Sequence, residues 1–202
     1  MPETAFARAR AAPKTEQLVG DPFRGVRSGS RRSGGNGVAA GGAQRSVARM
    51  IQGIDHLNVV VGDMARSLKF YCGVLGFTKT KEAQLAGDWI ERIVGLKGVQ
   101  AHAVFIEAPG GGPRIELLHY AAPAGGAAAE NSRANTRGLR HFALRVDDIA
   151  AMIAKMRAAG VTVFSDPVRV PGGVVEFDAG ATKTLVYFLD PDGVIIELAE
   201  YR

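Results

Sequence analysis

The hydrophobic pattern of the chain predicts the same order of secondary-structure elements twice after residue 50. In the first half, the β-branched run Val59-Val60-Val61 follows His56 and predicts a strand. Apolar residues then recur at helical spacing, at Met64, Leu68, Tyr71 and Leu75. Three further strand patterns cover residues 77–80, 99–108 and 114–120. The first half therefore predicts a βαβββ module.

The second half of this region repeats that order. A strand pattern over residues 141–146 precedes apolar residues at helical spacing, at Ile149, Met152, Ile153 and Met156. Further strand patterns cover residues 161–164, 184–189 and 194–201. The last two flank the strong turn sequence Asp190-Pro191-Asp192-Gly193 and so predict a hairpin.

Equivalent residues show that the two halves are a duplication. Each predicted helix has an aspartate as its N-cap and a glycine as its C-cap. In addition, each half begins with a histidine and ends with a glutamate. The offset between equivalent residues stays between 81 and 85, for the pairs His56 and His141, Asp63 and Asp148, Gly76 and Gly160, and Glu116 and Glu197.

This duplication predicts an α+β fold in which two tandem βαβββ modules form a cupped, barrel-like mixed sheet. The first module is expected to cover about residues 51–120 and the second about residues 138–202, with residues 121–137 as a linker. Two segments, residues 84–98 and 169–183, have no counterpart in the other module. We expect both to cover a substrate, a role that loops on rigid scaffolds often have.

Residues 1–50 differ from the rest of the chain in composition and charge. They contain nine Lys/Arg and three Asp/Glu, a net charge of +6, whereas residues 51–202 contain 16 and 17, a net charge of −1. Gly, Ala and Arg dominate the segment without lasting periodicity, so we expect a disordered basic extension. The segment is Arg-rich and acid-poor like an organelle transit peptide; the alternative is an extension without function. We expect a cytoplasmic protein, or a mitochondrial or plastid protein if this segment is a transit peptide.

Composition excludes several classes of function. The near-neutral charge of residues 51–202 does not indicate a nucleic-acid partner. No apolar run approaches the roughly 20 residues of a membrane span, so we expect a soluble protein without a membrane partner. The single cysteine, Cys72, excludes an internal disulfide and a Cys-rich metal site, and its apolar helical surroundings predict a buried, unreactive thiol.

The candidate functional residues are the histidine and glutamate of each module, His56 with Glu116 and His141 with Glu197. Both glutamates stand in the sequence Ile-Glu-Leu of a last strand. If each sheet curls so that its first and last strands are adjacent, His and Glu converge, and pairing the modules unites four ligands. Two imidazoles and two carboxylates suit one divalent ion such as Ni, Co, Zn, Mn or Fe, with positions left for water or substrate.

Each of these residues also has an ordinary structural explanation. A single histidine on an apolar strand is more often a hydrogen-bonded core residue, and a single glutamate near a strand end usually faces solvent. Their repetition at matched positions favours a site. His102 and His119 have no counterpart, so we expect surface or packing roles for them. Arg140 and Arg145 suit either an anionic substrate or salt bridges at the strand edge.

Three sequence segments resemble the vicinal oxygen chelate superfamily. They are Ile54-Asp55-His56-Leu57, the run Ser67-Leu68-Lys69-Phe70-Tyr71 leading to Val74-Leu75-Gly76-Phe77, and residues 188–193 leading to Glu197. The superfamily includes glyoxalase I, methylmalonyl-CoA epimerases, extradiol dioxygenases and bleomycin-resistance proteins. The resemblance covers about residues 51–202 and implies paired βαβββ modules whose metal ligands are His56, Glu116, His141 and Glu197.

Within this superfamily, the His-Glu-His-Glu set most resembles that of glyoxalase I. The resemblance implies a metal-dependent lyase or isomerase that acts on a small carbonyl compound or thiol adduct. Such an enzyme removes a proton next to the carbonyl, and a divalent ion stabilises the resulting enediolate. We expect Glu197 to be the base and Glu116 its counterpart across a pseudo-symmetric site. The alternatives are a methylmalonyl-CoA epimerase-like enzyme, an Fe(II) extradiol dioxygenase, or a non-catalytic protein that binds an antibiotic or another small molecule. The modules can pair within one chain or between the chains of a homodimer, and the sequence leaves this open.

Overall fold

Two four-stranded mixed sheets form the framework of this protein. The structure is a computed structural model that describes residues 51–126, 132–175, 177 and 180–202. Ile51–Arg202 form a compact unit. Residues 1–50, for which we predicted disorder and a targeting role, lie outside the described residues. Residues 127–131 of the predicted linker also lie outside them. No helix in the described part of the chain is long and apolar enough to cross a membrane.

The first module starts with strand β1, His56–Val60, and helix α1, Met64–Leu68, which continues as a π-helical turn, Lys69–Val74. Asp63 caps α1 because its carboxylate accepts a hydrogen bond of 2.9 Å from the backbone N–H three residues later. Gly76 follows the helical segment at φ = +84°, a left-handed conformation that glycine adopts without steric cost. The cap residues predicted for this helix therefore adopt cap geometry.

The rest of the first module contains a helix that the sequence pattern did not predict. Its elements are β2, Thr78–Ala86; α2, Asp88–Val94; β3, Gln100–Glu107; and β4, Arg114–Ala122. The segment of residues 84–98 is thus the end of β2 followed by a short helix. Ile90 is the buried residue of α2, and a single buried position does not produce a recognisable helical pattern.

The second module has the same order of elements with a shorter outer strand. Its elements are β5, His141–Arg145; α3, Ile149–Ala158; β6, Val168–Arg169; β7, Lys183–Leu189; and β8, Ile195–Tyr201. The prediction of a strand over residues 161–164 is wrong. In this segment, Val163 makes one isolated bridge to Phe188. The alternating apolar residues Val161 and Val163 pack against the core without forming a strand.

The strand order is the same in both sheets, β1-β4-β3-β2 and β5-β8-β7-β6. The first and last strands of each module pair in parallel, and the other pairs are antiparallel. The predicted α+β fold of two tandem βαβββ modules with mixed sheets is therefore confirmed. Among the described residues, no strand pair joins the two sheets, so they are not closed into a barrel.

One face of each sheet contributes to a shared core. Ile115 and Leu117 of β4, and Ile196 and Leu198 of β8, are at most 2% exposed and belong to one apolar cluster with residues of α1 and α3. Side chains alternate along a strand, so the glutamates between these residues point to the opposite face. The core thereby turns Glu116 and Glu197 away from the helices.

A buried hydrogen bond connects the modules. The hydroxyl of Tyr71, which is fully buried after α1, donates to Oδ2 of Asp190 in the turn before β8 (2.9 Å). The backbone N–H groups of Asp192 and Val194 donate to the other oxygen of Asp190. Burial raises the pKa of Asp190, and these hydrogen bonds partly oppose that effect. The first module is therefore fixed to the β7–β8 turn by a buried carboxylate that needs each donor.

The substitution Tyr71→Phe is expected to destabilise the protein by about 1–3 kcal/mol, because it leaves the buried Asp190 carboxylate without one donor. Urea unfolding measures the change in the free energy of unfolding. Tyr120→Phe is the matched control, since Tyr120 is only half-buried. Equal stability of the two variants would contradict the connecting role of the Tyr71–Asp190 bond.

Candidate metal centre

The first His–Glu pair lies where β1 and β4 run in parallel. Asn58 is directly opposite Glu116 in the register, and His56 precedes Asn58 by two residues on the same face. The ring Nε2 of His56 lies 3.5 Å from Oε2 of Glu116. The predicted adjacency of the first and last strands thus brings this histidine and this glutamate together.

The second pair uses the same register in the other sheet. Ala143 is directly opposite Glu197, and His141 precedes Ala143 by two residues. Nε2 of His141 lies 3.4 Å from Oε2 of Glu197. The two pairs therefore have nearly the same geometry, although they lie about 80 residues apart in the sequence.

The structure does not unite the two pairs within one chain. Among the described residues, no three His, Cys, Asp or Glu side chains are grouped so that they could hold one metal ion. Each pair by itself supplies two ligands. The union of four ligands, expected from the sequence, therefore stays a prediction.

A carboxylate orients the ring of His56. Asp55 Oδ2 lies 2.8 Å from Nδ1 of His56, and the guanidinium of Arg114 donates to both oxygens of Asp55 at 2.7 and 2.8 Å. The hydrogen bond to His56 and then that to Arg114 lower the pKa of the exposed Asp55. A carboxylate on Nδ1 leaves Nε2 as the ligand atom, an arrangement that is common around metal-bound histidines.

Glu116 has a neutral partner. The amide of Asn58 donates a hydrogen bond of 2.8 Å to Oε2, the same oxygen that faces His56. Phe105 of β3 is directly opposite Glu116, and its ring packs edge-on against His56 at 5.7 Å. The first pair is therefore held by an amide and a phenyl ring.

Glu197 has a cationic partner. The ammonium of Lys183 lies 2.5 Å from Oε1, so that oxygen is ion-paired. Burial lowers the pKa of Lys183, but the contact with Glu197 outweighs this effect and the net shift is upward. The side chain of Glu197 is 5% exposed. Glu197 is thus a buried carboxylate that forms an ion pair with the half-buried Lys183.

Two tyrosines complete the surroundings of the second pair. Tyr187 is directly opposite Glu197, and its ring lies 4.9 Å from that of His141. Burial and the negative charge of Glu197 raise the pKa of Tyr187. The ring of Tyr201 has Arg145 at 5.1 Å and Lys183 at 5.7 Å, so this face of the sheet is rich in cations.

The sequence comparison with protein families agrees with this geometry. The model of the glyoxalase/bleomycin resistance protein/dioxygenase superfamily matches residues 53–198. The chain belongs to this superfamily. The match includes both modules and all four residues of the two His–Glu pairs.

Relatives in the superfamily carry different names. YaeR of Escherichia coli, described as uncharacterized, is 31% identical over 148 residues, 73% of this chain and 95% of that protein. A 2-epi-5-epi-valiolone epimerase of Actinomyces sp. is 29% identical over 150 residues, 72% of this chain and 77% of the relative. A probable lactoylglutathione lyase of Synechocystis sp. is 29% identical over 146 residues, 72% of this chain and 92% of the relative.

A solved structure supports the fold. The glyoxalase family protein from Bacillus cereus superposes with a TM-score of 0.63 at 24% identity, over 76% of this chain and 96% of that one. At this identity the likeness shows the arrangement of the βαβββ modules and does not identify a reaction.

The donor atoms of this superfamily member fit a divalent ion. Ligand distances for such an ion are about 2.0–2.2 Å, so nitrogen and oxygen atoms 3.4–3.5 Å apart can contact the same ion. Imidazole and carboxylate are ligands for Zn, Mn, Fe, Co and Ni. Each pair therefore fits half of a metal site.

The two segments without a counterpart lie on the faces that carry the glutamates. Ile90 of α2 packs in an apolar cluster with Ala101, Ala103 and Leu118, the last of which shares a face with Glu116. In the other module, the ring of Phe177 packs edge-on against Tyr201 at 5.7 Å. Both contacts support the expectation that these segments cover a substrate, which stays a prediction.

A cavity of about 540 Å³ lies between the modules. It is lined by Asn58 and Val60 of β1 and by Leu139 and His141 at the start of β5, while neither glutamate lines it. The cavity is therefore beside the His–Glu pairs and not over them. His102, for which we predicted a surface or packing role, lies 2.7 Å from Glu82 and takes no part in either pair.

Sequence reasoning missed the partners of the glutamates. Asn58 was recognisable, because strand alternation places it on the face of His56. Lys183 was recognisable only by counting back from the Asp190–Gly193 turn, which places it opposite Tyr201. A prediction that was wrong by one residue in the strand register would have placed Lys183 on the face opposite to that of Glu197.

The substitution Asp55→Asn is expected to weaken metal binding about 10- to 100-fold, because the ring of His56 loses the carboxylate that orients it. Calorimetric titration of Zn²⁺ into metal-free protein measures the dissociation constant. Asp166→Asn is the matched control, since Asp166 is also exposed and pairs with an arginine, Arg157, at 2.7 Å. Equal affinities of the two variants would show that Asp55 does not orient a ligand.

Proposed function

We propose that this protein is a metal-dependent lyase or isomerase of the glyoxalase I type. The observation that supports this most directly is the repeated register that sets a histidine Nε2 3.4–3.5 Å from a glutamate oxygen in both modules. A repeated pair of ligands is the arrangement that a single His-Glu-His-Glu metal site requires. Superfamily membership and the probable lactoylglutathione lyase among the relatives support the same proposal.

The metal ligands in this proposal are His56, Glu116, His141 and Glu197. Catalytic metal sites usually have at least three protein ligands, and each pair supplies two. We propose that the first pair of one chain combines with the second pair of another copy in a homodimer. Two-fold symmetry would then form two equivalent sites, because each surface contacts its counterpart reciprocally.

The proposed reaction moves a proton between neighbouring carbons of a small carbonyl compound or thiol adduct. The bound divalent ion would stabilise the negative charge that develops on the substrate oxygens. A carboxylate of the site, Glu197 or its counterpart Glu116, takes the proton next to the carbonyl and returns it to the adjacent carbon. The histidines act as ligands, and Asp55 holds His56 in the orientation for that role.

An epimerase is the second candidate function. The named 2-epi-5-epi-valiolone epimerase is as similar to this chain as the probable lyase, at 29% identity. An epimerase removes a proton from one face of a carbon next to a carbonyl and returns one to the opposite face, and the two carboxylates of the site would supply the base and the acid. The two candidates therefore use the same residues and differ in the substrate and in where the proton returns.

Turnover of the hemithioacetal formed from methylglyoxal and a thiol is the direct test. We expect the metal-free protein to be inactive and Ni²⁺, Co²⁺, Zn²⁺, Mn²⁺ or Fe²⁺ to restore activity. His56→Ala is expected to lose both bound metal and activity, because a ligand is absent. His102→Ala is the matched control and keeps both, since His102 contacts Glu82 and no ligand.

Other outcomes would select the alternatives. Oxygen uptake with a catechol and Fe²⁺ would identify an extradiol dioxygenase and contradict the lyase proposal. A wild-type protein that binds no metal but binds a small molecule tightly would identify a non-catalytic binding protein. Metal-dependent epimerisation without hemithioacetal turnover would assign the second candidate.

A further inference from the structure

The two modules surround their equivalent glutamates with different side chains. Asn58 lies opposite Glu116, whereas its equivalent opposite Glu197 is Ala143. Lys183 reaches Glu197, whereas its equivalent in the first sheet is Ala101, counted from the matched registers. The pseudo-symmetric pairs are therefore chemically unequal.

Glu197 has both of its carboxylate oxygens in contact with other side chains. Oε1 lies 2.5 Å from the ammonium of Lys183, and Oε2 lies 3.4 Å from Nε2 of His141. The side chain is 5% exposed. If Oε2 binds a metal ion together with His141, Oε1 stays beside the ammonium of Lys183, and neither oxygen is open to a substrate.

Glu116 has one oxygen free for chemistry. Its contacts with Asn58 at 2.8 Å and His56 at 3.5 Å both involve Oε2. Within the part of the chain that the structure describes, Oε1 has no hydrogen bond or ion pair. The side chain is 17% exposed, more than three times the exposure of Glu197.

We infer that the two glutamate ligands have different roles: Glu197 is the permanent metal ligand, fixed by Lys183, and Glu116 is the displaceable ligand and the base that takes and returns the substrate proton. The inference rests on the proposed function, and it reverses the roles that we expected from the sequence. A base needs an oxygen that a substrate can approach, and of the two glutamates Glu116 is the more exposed and has its side-chain contacts on Oε2 alone. Lys183 is thereby a positioning residue that acts through Glu197.

The proton transfer is balanced without a further reactant. The C–H bond next to the carbonyl breaks, its proton goes to Oε1 of Glu116, its electron pair forms the C=C bond of the enediolate, and the carbonyl π pair moves onto the carbonyl oxygen. The protonated Glu116 then donates the same proton to the former carbonyl carbon, and the C=C pair forms the new C–H bond. The hydroxyl proton of the first carbon passes to the former carbonyl oxygen, and the electron pair of the broken O–H bond forms the new C=O bond on the first carbon. Glu116 ends as it began, so the net reaction is an isomerisation.

Metal affinity provides the first test and needs no substrate. We expect Glu197→Gln to weaken Zn²⁺ binding by more than the about 10- to 100-fold that loss of an outer-shell partner costs. Glu116→Gln is expected to weaken Zn²⁺ binding by less than about 10-fold, which is below the loss expected for an outer-shell partner. Glu107→Gln is the control, since Glu107 is exposed at the end of β3. If Glu197→Gln does not fold because the half-buried Lys183 is left unpaired, the double variant Lys183→Met/Glu197→Gln replaces it.

Turnover of the methylglyoxal hemithioacetal at saturating Zn²⁺ provides the second test. We expect Glu116→Gln to lower kcat about 100- to 10,000-fold with its metal retained, which is the usual effect of removing a general base. Glu197→Gln at saturating metal is expected to keep kcat within about 10-fold of the wild type, well short of that loss.

The opposite order of effects would overturn the inference: weak metal binding in Glu116→Gln, or a metal-loaded but inactive Glu197→Gln. Wild-type protein that binds Zn²⁺ but does not turn over the hemithioacetal would overturn the proposed function and the proton-transfer role of Glu116. In that case the order of the metal affinities would still support or contradict the role of Glu197. The two failures are therefore distinguishable.

Discussion

The parallel pairing of the first and last strands in each module is the constraint on which the candidate site depends. It places the residue two positions after each histidine directly opposite a glutamate, so that His and Glu occupy one face of the sheet. The apolar neighbours Ile115 and Leu117, and Ile196 and Leu198, fix this facing, because a shift of one residue would expose them and bury the glutamates in the core. Burial of the core thereby determines the geometry of the ligands.

The fold and the two pairs could be predicted because the signals are local and repeated. The Asp63 and Asp148 caps, the glycines after the helices and the matched offsets of His and Glu reflect turn chemistry and alternation, which a single sequence records. The strand predicted over residues 161–164 failed because apolar alternation there reflects packing against the core. Helix α2 was missed because it has a single buried residue, Ile90.

The unequal surroundings of the glutamates could not be predicted in the same way. Lys183 meets Glu197 across the β7–β8 hairpin, and Asn58 meets Glu116 across β1 and β4, so both contacts depend on tertiary register. The sequence indicated a pseudo-symmetric site because it displays only the matched ligands. The structure adds a buried carboxylate, Glu197, paired with Lys183 on one side, and a half-buried carboxylate, Glu116, with one oxygen outside its side-chain contacts on the other. Duplication preserved the register, while the partners diverged and gave the glutamates different environments.

The central claim is that the two His–Glu pairs form one metal site and not two. Elemental analysis of the purified protein, with Zn²⁺ added and the excess removed, tests it in the wild type, His56→Ala and His141→Ala. The account predicts one ion per chain in the wild type and none in either variant, because each variant lacks a ligand of the shared site. Two ions per chain in the wild type, with one kept in each variant, would contradict it.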